Sequence, residues 1–209
     1  IYKSCLFLCN GAVEYRAKTT KLSELGGLAK TMPITFIACF VASLSISGVP
    51  PFNGFASKWM IYQGTLSFGG IASWFFLLAA MFGSALTLAS FVKVLFSVFL
   101  GQRSNVTKKV KREVRLSMSF PLIVLALLCL LFGIFFRYPL KSFIIPAMGI
   151  AVPIESTWDS IIAGILICIG LLIGFLLYWI GRTNKNAKKV PTYIGGEDMK
   201  VEATRVAGT

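Results

Sequence analysis

The chain has 209 residues, 56% of them hydrophobic and 14% charged, with a formal net charge of +13. The apolar residues gather in blocks about as long as a bilayer is thick, which excludes an ordinary soluble domain and predicts an all-α, polytopic membrane protein. The positive charges lie between those blocks, so the positive-inside effect explains them better than a nucleic-acid partner, and none is expected.

Ile1 to about Val13 reads as the end of a membrane helix that carries Lys3 and exits into Glu14-Tyr15-Arg16. The chain opens without Met, already inside an apolar segment, so an N-terminal portion carried elsewhere is expected; no signal peptide is visible. A polar connection containing Gly26-Gly27 runs to Lys30, and Pro33 suits the first turn of the next helix. The cysteines (Cys5, Cys9, Cys39, Cys129, Cys168) all lie in apolar segments. Cys5 and Cys9 share a helix face, but with no His in the chain they read as small buried thiols, and no metal site is expected.

The next segment, about 34–66, is broken in its middle by Gly48, Pro50, Pro51 and Gly54. Proline removes a backbone donor and clashes with the preceding turn. In lipid, interrupted backbone survives only where it is buried in protein or lines a wet cavity. Each half has about a dozen residues, too few to span alone when about 20 are needed. The segment therefore crosses once as two half-helices or folds back as a re-entrant hairpin. Helical segments at 71–100, 116–136 and 158–180 follow, with a basic loop at 101–115 and a loop holding Pro139, Pro146 and Pro153. Part of that second loop is expected along the membrane surface. Gly170 and Gly174 form a small-xxx-small pair suited to close helix packing.

Charge decides between crossing and hairpin. The first loop holds Arg16, Lys18, Lys21 and Lys30, and the loop after the third segment holds Arg103, Lys108, Lys109, Lys111, Arg112 and Arg115. The tail holds Arg182, Lys185, Lys188, Lys189, Lys200 and Arg205, whereas the proline-rich loop holds only Arg137 and Lys141. A single crossing puts 16 basic residues on one side against 2 on the other, which the positive-inside rule prefers to a hairpin's more even split. The tail, 181–209, is then cytoplasmic.

Lys3, Lys58 and Lys93 remain inside apolar blocks, where no carboxylate of the chain accompanies them. An intramembrane ionisable residue is costly and is a functional candidate by default. Lysine suits proton work because burial disfavours its charged form. Lys58 is the first candidate: it follows the break, whose freed backbone groups and Ser57 hydroxyl offer places for water. Lys3 and Lys93 each keep two readings, a place on a proton path or a side chain that snorkels to the interface. Lys93 shares a face with Ser90 and Ser97, either a polar relay or interhelical hydrogen bonding. No phosphate-binding loop, nucleophile elbow or iron–sulfur cysteine spacing is present. Tyr193-Ile194-Gly195-Gly196-Glu197-Asp198 suits a docking segment or an ordinary solvated tail.

Gly48-Val49-Pro50-Pro51-Phe52-Asn53-Gly54-Phe55-Ala56-Ser57-Lys58-Trp59 resembles the signature of the antiporter-like membrane subunits shared by respiratory complex I, Mrp-type cation/proton antiporters and energy-converting membrane-bound hydrogenases. Leu25-Gly26-Gly27-Leu28-Ala29-Lys30-Thr31-Met32-Pro33 and Lys3-Ser4-Cys5-Leu6-Phe7-Leu8 are similar to it as well. The likeness is close over about 1–101 and general beyond; the 193–197 tail is similar to the hydrogenase-type members. It implies two inverted five-helix repeats, each with one broken helix. Residues 1–100 would be the end of the second repeat, 101–180 C-terminal transmembrane helices, and the whole the C-terminal part of such a subunit. Lys58 occupies the family's proton-path position on the broken helix, and Lys3 that of a lysine of the central hydrophilic axis.

The expected function is translocation of an ion, H⁺ first, as a non-redox subunit of a redox-driven complex such as a complex I-like NADH:quinone oxidoreductase or an energy-converting hydrogenase. The alternatives are a Mrp-type Na⁺/H⁺ antiporter subunit without a redox partner, and a purely structural membrane subunit. The chain itself is expected to hold no cofactor; iron–sulfur, flavin or nickel centres would sit on a peripheral redox arm, beside further membrane subunits. The expected location is the cytoplasmic membrane of a bacterium or archaeon, or its organelle equivalent.

The charge split yields a direct test. Cysteines placed at 104 and 204 are expected to escape a membrane-impermeant reagent applied to intact cells and to react in inverted vesicles. Labelling from outside at either position would overturn the single-crossing topology.

Overall fold

The computed structural model describes residues 1–149 and 160–182, and among them every regular element is helical. The helices are α1 (Tyr2–Ala17), α2 (Pro33–Ser47), α3 (Asn53–Ser67), α4 (Ile71–Leu95), α5 (Leu116–Ile134) and α6 (Ser160–Arg182). Ile71–Leu100, Leu116–Ile134 and Ile162–Gly181 are long and apolar enough to cross a membrane, and α2 is apolar but shorter. The chain is an integral membrane protein of the all-α class.

Pro33 opens α2, where its missing N–H is one of the helix's unpaired donors anyway. Gly48 closes it in a left-handed conformation at φ 80°, and its N–H and that of Val49 turn back onto the Ser45 and Leu44 carbonyls. The chain then passes through Val49, a cis Pro50–Pro51 peptide and Phe52 before α3 begins. Gly54 thus lies in the first turn of α3 rather than in the connection. It rests on the Ser45 backbone, where a β-carbon would collide with the carbonyl oxygen. A tight approach, rather than a turn, is what demands glycine there.

Positions along α4 fix how the two halves are arranged. The Phe99 ring, just past the end of α4, packs on Phe36 of α2 at 5.4 Å, while Ser84 of α4 meets Tyr62 of α3 at 2.6 Å. Those two contacts are fifteen residues apart on one helix, about 22 Å of rise. A hairpin would return Tyr62 to the level of Phe36; instead α2 and α3 follow one another along antiparallel α4. Helix α5 runs parallel to α2. Cys5 bridges their walls, its thiol facing the Ala38 carbonyl at 3.7 Å and the Leu122 carbonyl at 3.9 Å, and Gly133 packs directly on the Pro51–Asn53 backbone.

The core therefore surrounds α2. It holds Cys5, Cys9, Ala12, Leu28, Met32, Ala38, Cys39, Ala42, Phe99 and Leu122, and small residues dominate where the helices come closest. Cys5, Cys9, Cys39 and Cys129 are buried free thiols, and Cys168 is half-buried. Away from this core, α4 and α6 expose nearly continuous apolar surface, as lipid or neighbouring helices require.

Several boundaries differ from the sequence reading. Helix α1 continues through Glu14, Tyr15 and Arg16 to Ala17, so those residues are helical rather than an exit loop, and Lys18 caps it at φ 57°. The connection to Pro33 contains two short 3₁₀ turns. Short helical turns occupy 137–148, including Pro139 and Pro146. Pro153 and nearly all of the 181–209 tail, including Tyr193 to Asp198 and Thr204, lie outside the described residues. Ser104 is 3% exposed and donates to the Glu24 carbonyl, so the exposed Lys109 is the better labelling position in its loop.

The fold makes Gly54 intolerant of any side chain. Gly54→Val is expected to force α3 away from Ser45 and to lower the amount of folded protein in the membrane more than Gly64→Val, since Gly64 has no atom within 4 Å of an added β-carbon. Quantitative blotting and thermal melting of the two variants decide it, and equal losses would remove the close-approach argument.

Candidate ion-translocation site

The last carbonyls of a helix have no partner within it. At the end of α2 the Gly48 turn satisfies those of Leu44 and Ser45, and the Ser47 carbonyl is taken by Lys58, whose Nζ lies 3.1 Å away. Lys58 sits on the second turn of α3, so its side chain reaches back across the break. Its stem crosses Gly48, where a β-carbon would stand 2.6 Å from Cδ. Gly48 thus serves both the left-handed turn and the lysine's passage. The ammonium rests at the negative end of the α2 dipole, a favourable place for a cation.

The break is enclosed on several sides. The Ser45 hydroxyl bonds the Asn53 side chain across it, and Ser47 donates to the Ser43 carbonyl at 2.7 Å. Ser43, Ser45 and Ser47 are all buried on the last turns of α2. The Ser43 hydroxyl, buried one turn before Ser47, makes no hydrogen bond. Gly133 of α5 covers one side of the connection, and Gly164 of α6 faces Pro50 and Phe55.

The structure does not bring the three lysines into one cluster of contacts. Lys58 is half-buried at the break, whereas Lys3 on α1 and Lys93 near the end of α4 are both exposed on the described chain. Ser90 spends its hydroxyl on the Leu86 carbonyl of its own helix, at 2.9 Å. Ser97 lies in the five-residue π-helical turn that follows α4, Phe96–Leu100, which changes the register after Leu95. Ser57 is likewise bonded within α3, to the Gly54 and Asn53 carbonyls. Among the described residues, no group of three or more His, Cys, Asp or Glu side chains is placed to hold a metal ion.

Sequence reasoning missed Glu113. Its carboxylate accepts from the backbone N–H of Ile34 at 2.9 Å and of Thr35 at 3.3 Å, and from the Thr35 hydroxyl at 2.8 Å. A residue 79 positions away in the chain thus caps the N-terminus of α2. Arg16 donates to the Glu113 carbonyl, tying the end of α1 to the same point. The one sequence signal was that Glu113 is the sole acid in the 101–115 loop. The two ends of α2 therefore carry opposite charges, each matched to the helix dipole: Glu113 at its start and Lys58 at its finish.

Glu113→Ala leaves the donors of Ile34 and Thr35 unpaired and is expected to cost about 1–2 kcal/mol of stability. Glu113→Gln keeps an acceptor and loses less. Thermal melting of the protein in detergent checks the ranking; equal midpoints for the Ala variant and the parent would show that the cap contributes nothing.

Comparison with known proteins shows what the chain is similar to. Residues 1–87 match the family described as NADH:quinone oxidoreductase/Mrp antiporter, transmembrane. The chain is 32% identical over 154 residues to the Na(+)/H(+) antiporter subunit A1 of Staphylococcus aureus strains Newman and USA300. That match covers 70% of this chain and 19% of the relative. Among solved structures, a chain of the membrane-bound sulfane sulfur reductase, an archaeal respiratory membrane complex, superposes with a TM-score of 0.68 at 28% identity, covering 98% of this chain and 35% of that one. A chain of the Mrp complex from Dietzia sp. DQ12-45-1b gives a TM-score of 0.59 at 27% identity over 67% of this chain and 33% of its own. This chain thus spans a fifth to about a third of the proteins it matches, and the two structural neighbours are parts of membrane complexes. By the family match, the identity to antiporter subunit A1 over 70% of its length and the superposition on both complexes, the chain belongs to the antiporter-like membrane subunits of the NADH:quinone oxidoreductase/Mrp antiporter family.

Proposed function

We propose that this chain translocates an ion, H⁺ first, through the break between α2 and α3, with Lys58 as the group that takes up and releases the proton. The observation that carries the proposal is the ammonium held on the open Ser47 carbonyl beside interrupted backbone. Loss of the proton removes the charge that matches the α2 dipole, and its return restores it. The position of Lys58 is thereby tied to its protonation.

The subunit is proposed to work in a redox-driven complex, with iron–sulfur, flavin or nickel centres on partner subunits and none in this chain. The likeness to a respiratory complex over 98% of the chain favours this reading. A second reading, Na⁺/H⁺ exchange without a redox arm, is favoured by the 32% identity to antiporter subunit A1. Purification of the tagged chain from its native membrane separates them: redox subunits and flux that depends on an electron donor support the first, and flux driven by a cation gradient alone supports the second. The charge asymmetry of the loops supports a cytoplasmic tail.

Lys58 variants test the relay itself. Lys58→Ala is expected to cut proton uptake per turnover at least tenfold while assembly persists. Lys58→Glu retains partial activity because a carboxylate also titrates, and Lys58→Arg is poor because guanidinium keeps its proton. A merely structural cation gives another order, with Arg best and Glu worst. Full transport in both the Ala and Arg variants, measured in reconstituted vesicles, would remove Lys58 from the path.

A further inference from the structure

The 101–115 loop joins two membrane-crossing segments, Ile71–Leu100 and Leu116–Ile134, so it lies at the membrane boundary on one side. Its shape is fixed from within. Ser104 and Thr107 exchange hydrogen bonds at 2.8 and 3.0 Å, and Arg103 donates to the Val110 carbonyl at 3.0 Å. Thr107, Val110 and Val114 are buried beneath the loop. Lys108, Lys109, Lys111, Arg112 and Arg115 are all exposed on its outside.

Nothing among the described residues neutralises those five cations. The described carboxylates are Glu14, Glu24 and Glu113. Glu24 is engaged by Thr19 at 2.6 Å and Lys21 at 3.6 Å. Glu14 lies on α1 beside Tyr15 and Lys18. Glu113 belongs to the loop, but its carboxylate is turned inward onto the start of α2. The loop's one acid is therefore absent from its outer surface, and the outer surface is purely cationic.

We propose that this loop is a binding platform for the phosphate headgroups of anionic phospholipids in the leaflet on its own side. The loop is tethered at both ends to membrane-spanning helices, with Arg115 directly before the first residue of α5. Phosphodiesters of that leaflet are thus the anions in reach. Guanidinium groups pair with phosphate oxygens in a two-pronged geometry, and lysines add compact charge. A preformed loop loses little conformational freedom on binding. The arrangement goes beyond the general excess of basic residues in loops, because internal bonds hold the backbone and because the neighbouring acid is committed elsewhere.

The test uses the chain purified in detergent with its native partners, titrated with phosphatidylglycerol and, separately, with phosphatidylcholine in mixed micelles. Wild-type protein is expected to retain phosphatidylglycerol preferentially. Raising salt from 0.1 to 1 M should release most of it, as the screening length falls from about 10 to about 3 Å. The variant Lys108→Gln/Lys109→Gln/Lys111→Gln/Arg112→Gln is expected to bind phosphatidylglycerol at least tenfold more weakly with phosphatidylcholine unchanged, and the arginine-for-lysine version Lys108→Arg/Lys109→Arg/Lys111→Arg to bind as wild type. Salt-insensitive retention by the wild type overturns the proposal without recourse to any variant. So does displacement of the lipid by millimolar inorganic phosphate, which would mark a site for a small free anion. Loss of a co-purifying acidic subunit with lipid binding intact would assign the surface to protein instead.

Discussion

Interrupted backbone at membrane depth is the constraint from which this structure follows. Each carbonyl left open in hydrocarbon costs several kcal/mol, roughly the penalty for burying an unpaired polar group. The end of α2 meets that penalty by two local devices. Gly48 adopts a left-handed turn that folds two amide groups back onto the helix, and Lys58 supplies an ammonium to the Ser47 carbonyl. The second device depends on the first, because the lysine stem crosses the space that a side chain at 48 would fill. The group proposed to carry the proton is thus also the one that caps the open carbonyl.

The surrounding helices are arranged to hold this half-helix in place. Helices α1, α4 and α5 pack around α2 through Cys5, Cys9, Ala38, Cys39 and Ala42, residues small enough for close backbone approach. Gly54 and Gly133 then bring α3 and α5 down onto the connection itself. At the opposite end Glu113 pins the first turn, and Arg16 ties α1 to the same loop. A helix of 15 residues, about 22 Å long, is thereby fixed at both ends by charged groups from other parts of the chain.

The sequence made some of this legible and hid the rest for physical reasons. Pro33, Gly48 and the Pro50–Pro51 pair act through their own backbone torsions and missing donors, so they announce α2 and its end without any knowledge of the fold. Lys58 was visible because charge in an apolar block is rare, and the charge asymmetry of the loops pointed to the same end-to-end path that α4 now displays. The Glu113 cap was hidden because it depends on a contact across 79 residues, and no local pattern encodes such a contact. Helix α1 reaches Ala17 because Val13 and Ala17 are buried, although Glu14 and Arg16 between them look like a loop. Ser57 reads from the sequence as a place for water beside the break, and Ser90 with Ser97 as either a relay or interhelical hydrogen bonding; the Ser57 and Ser90 hydroxyls each turn to a carbonyl of their own helix, the usual local competitor.

For the proposed relay, the pairing of Lys58 with a carbonyl rather than a carboxylate bears on proton release. A full counter-charge at close range would hold the ammonium tightly and make proton release costly. A helix C-terminus offers about half a charge, spread over several carbonyls. That is enough to place the ammonium, and the contribution is on the order of 1 kcal/mol, a size that protonation or a neighbouring charge readily offsets. The Ser47 hydroxyl is itself committed to the Ser43 carbonyl, so the carbonyl is the group Ser47 presents to Lys58. Under the proposed relay the Ser47 carbonyl is the acceptor, and the lysine side chain is the part whose position follows its charge.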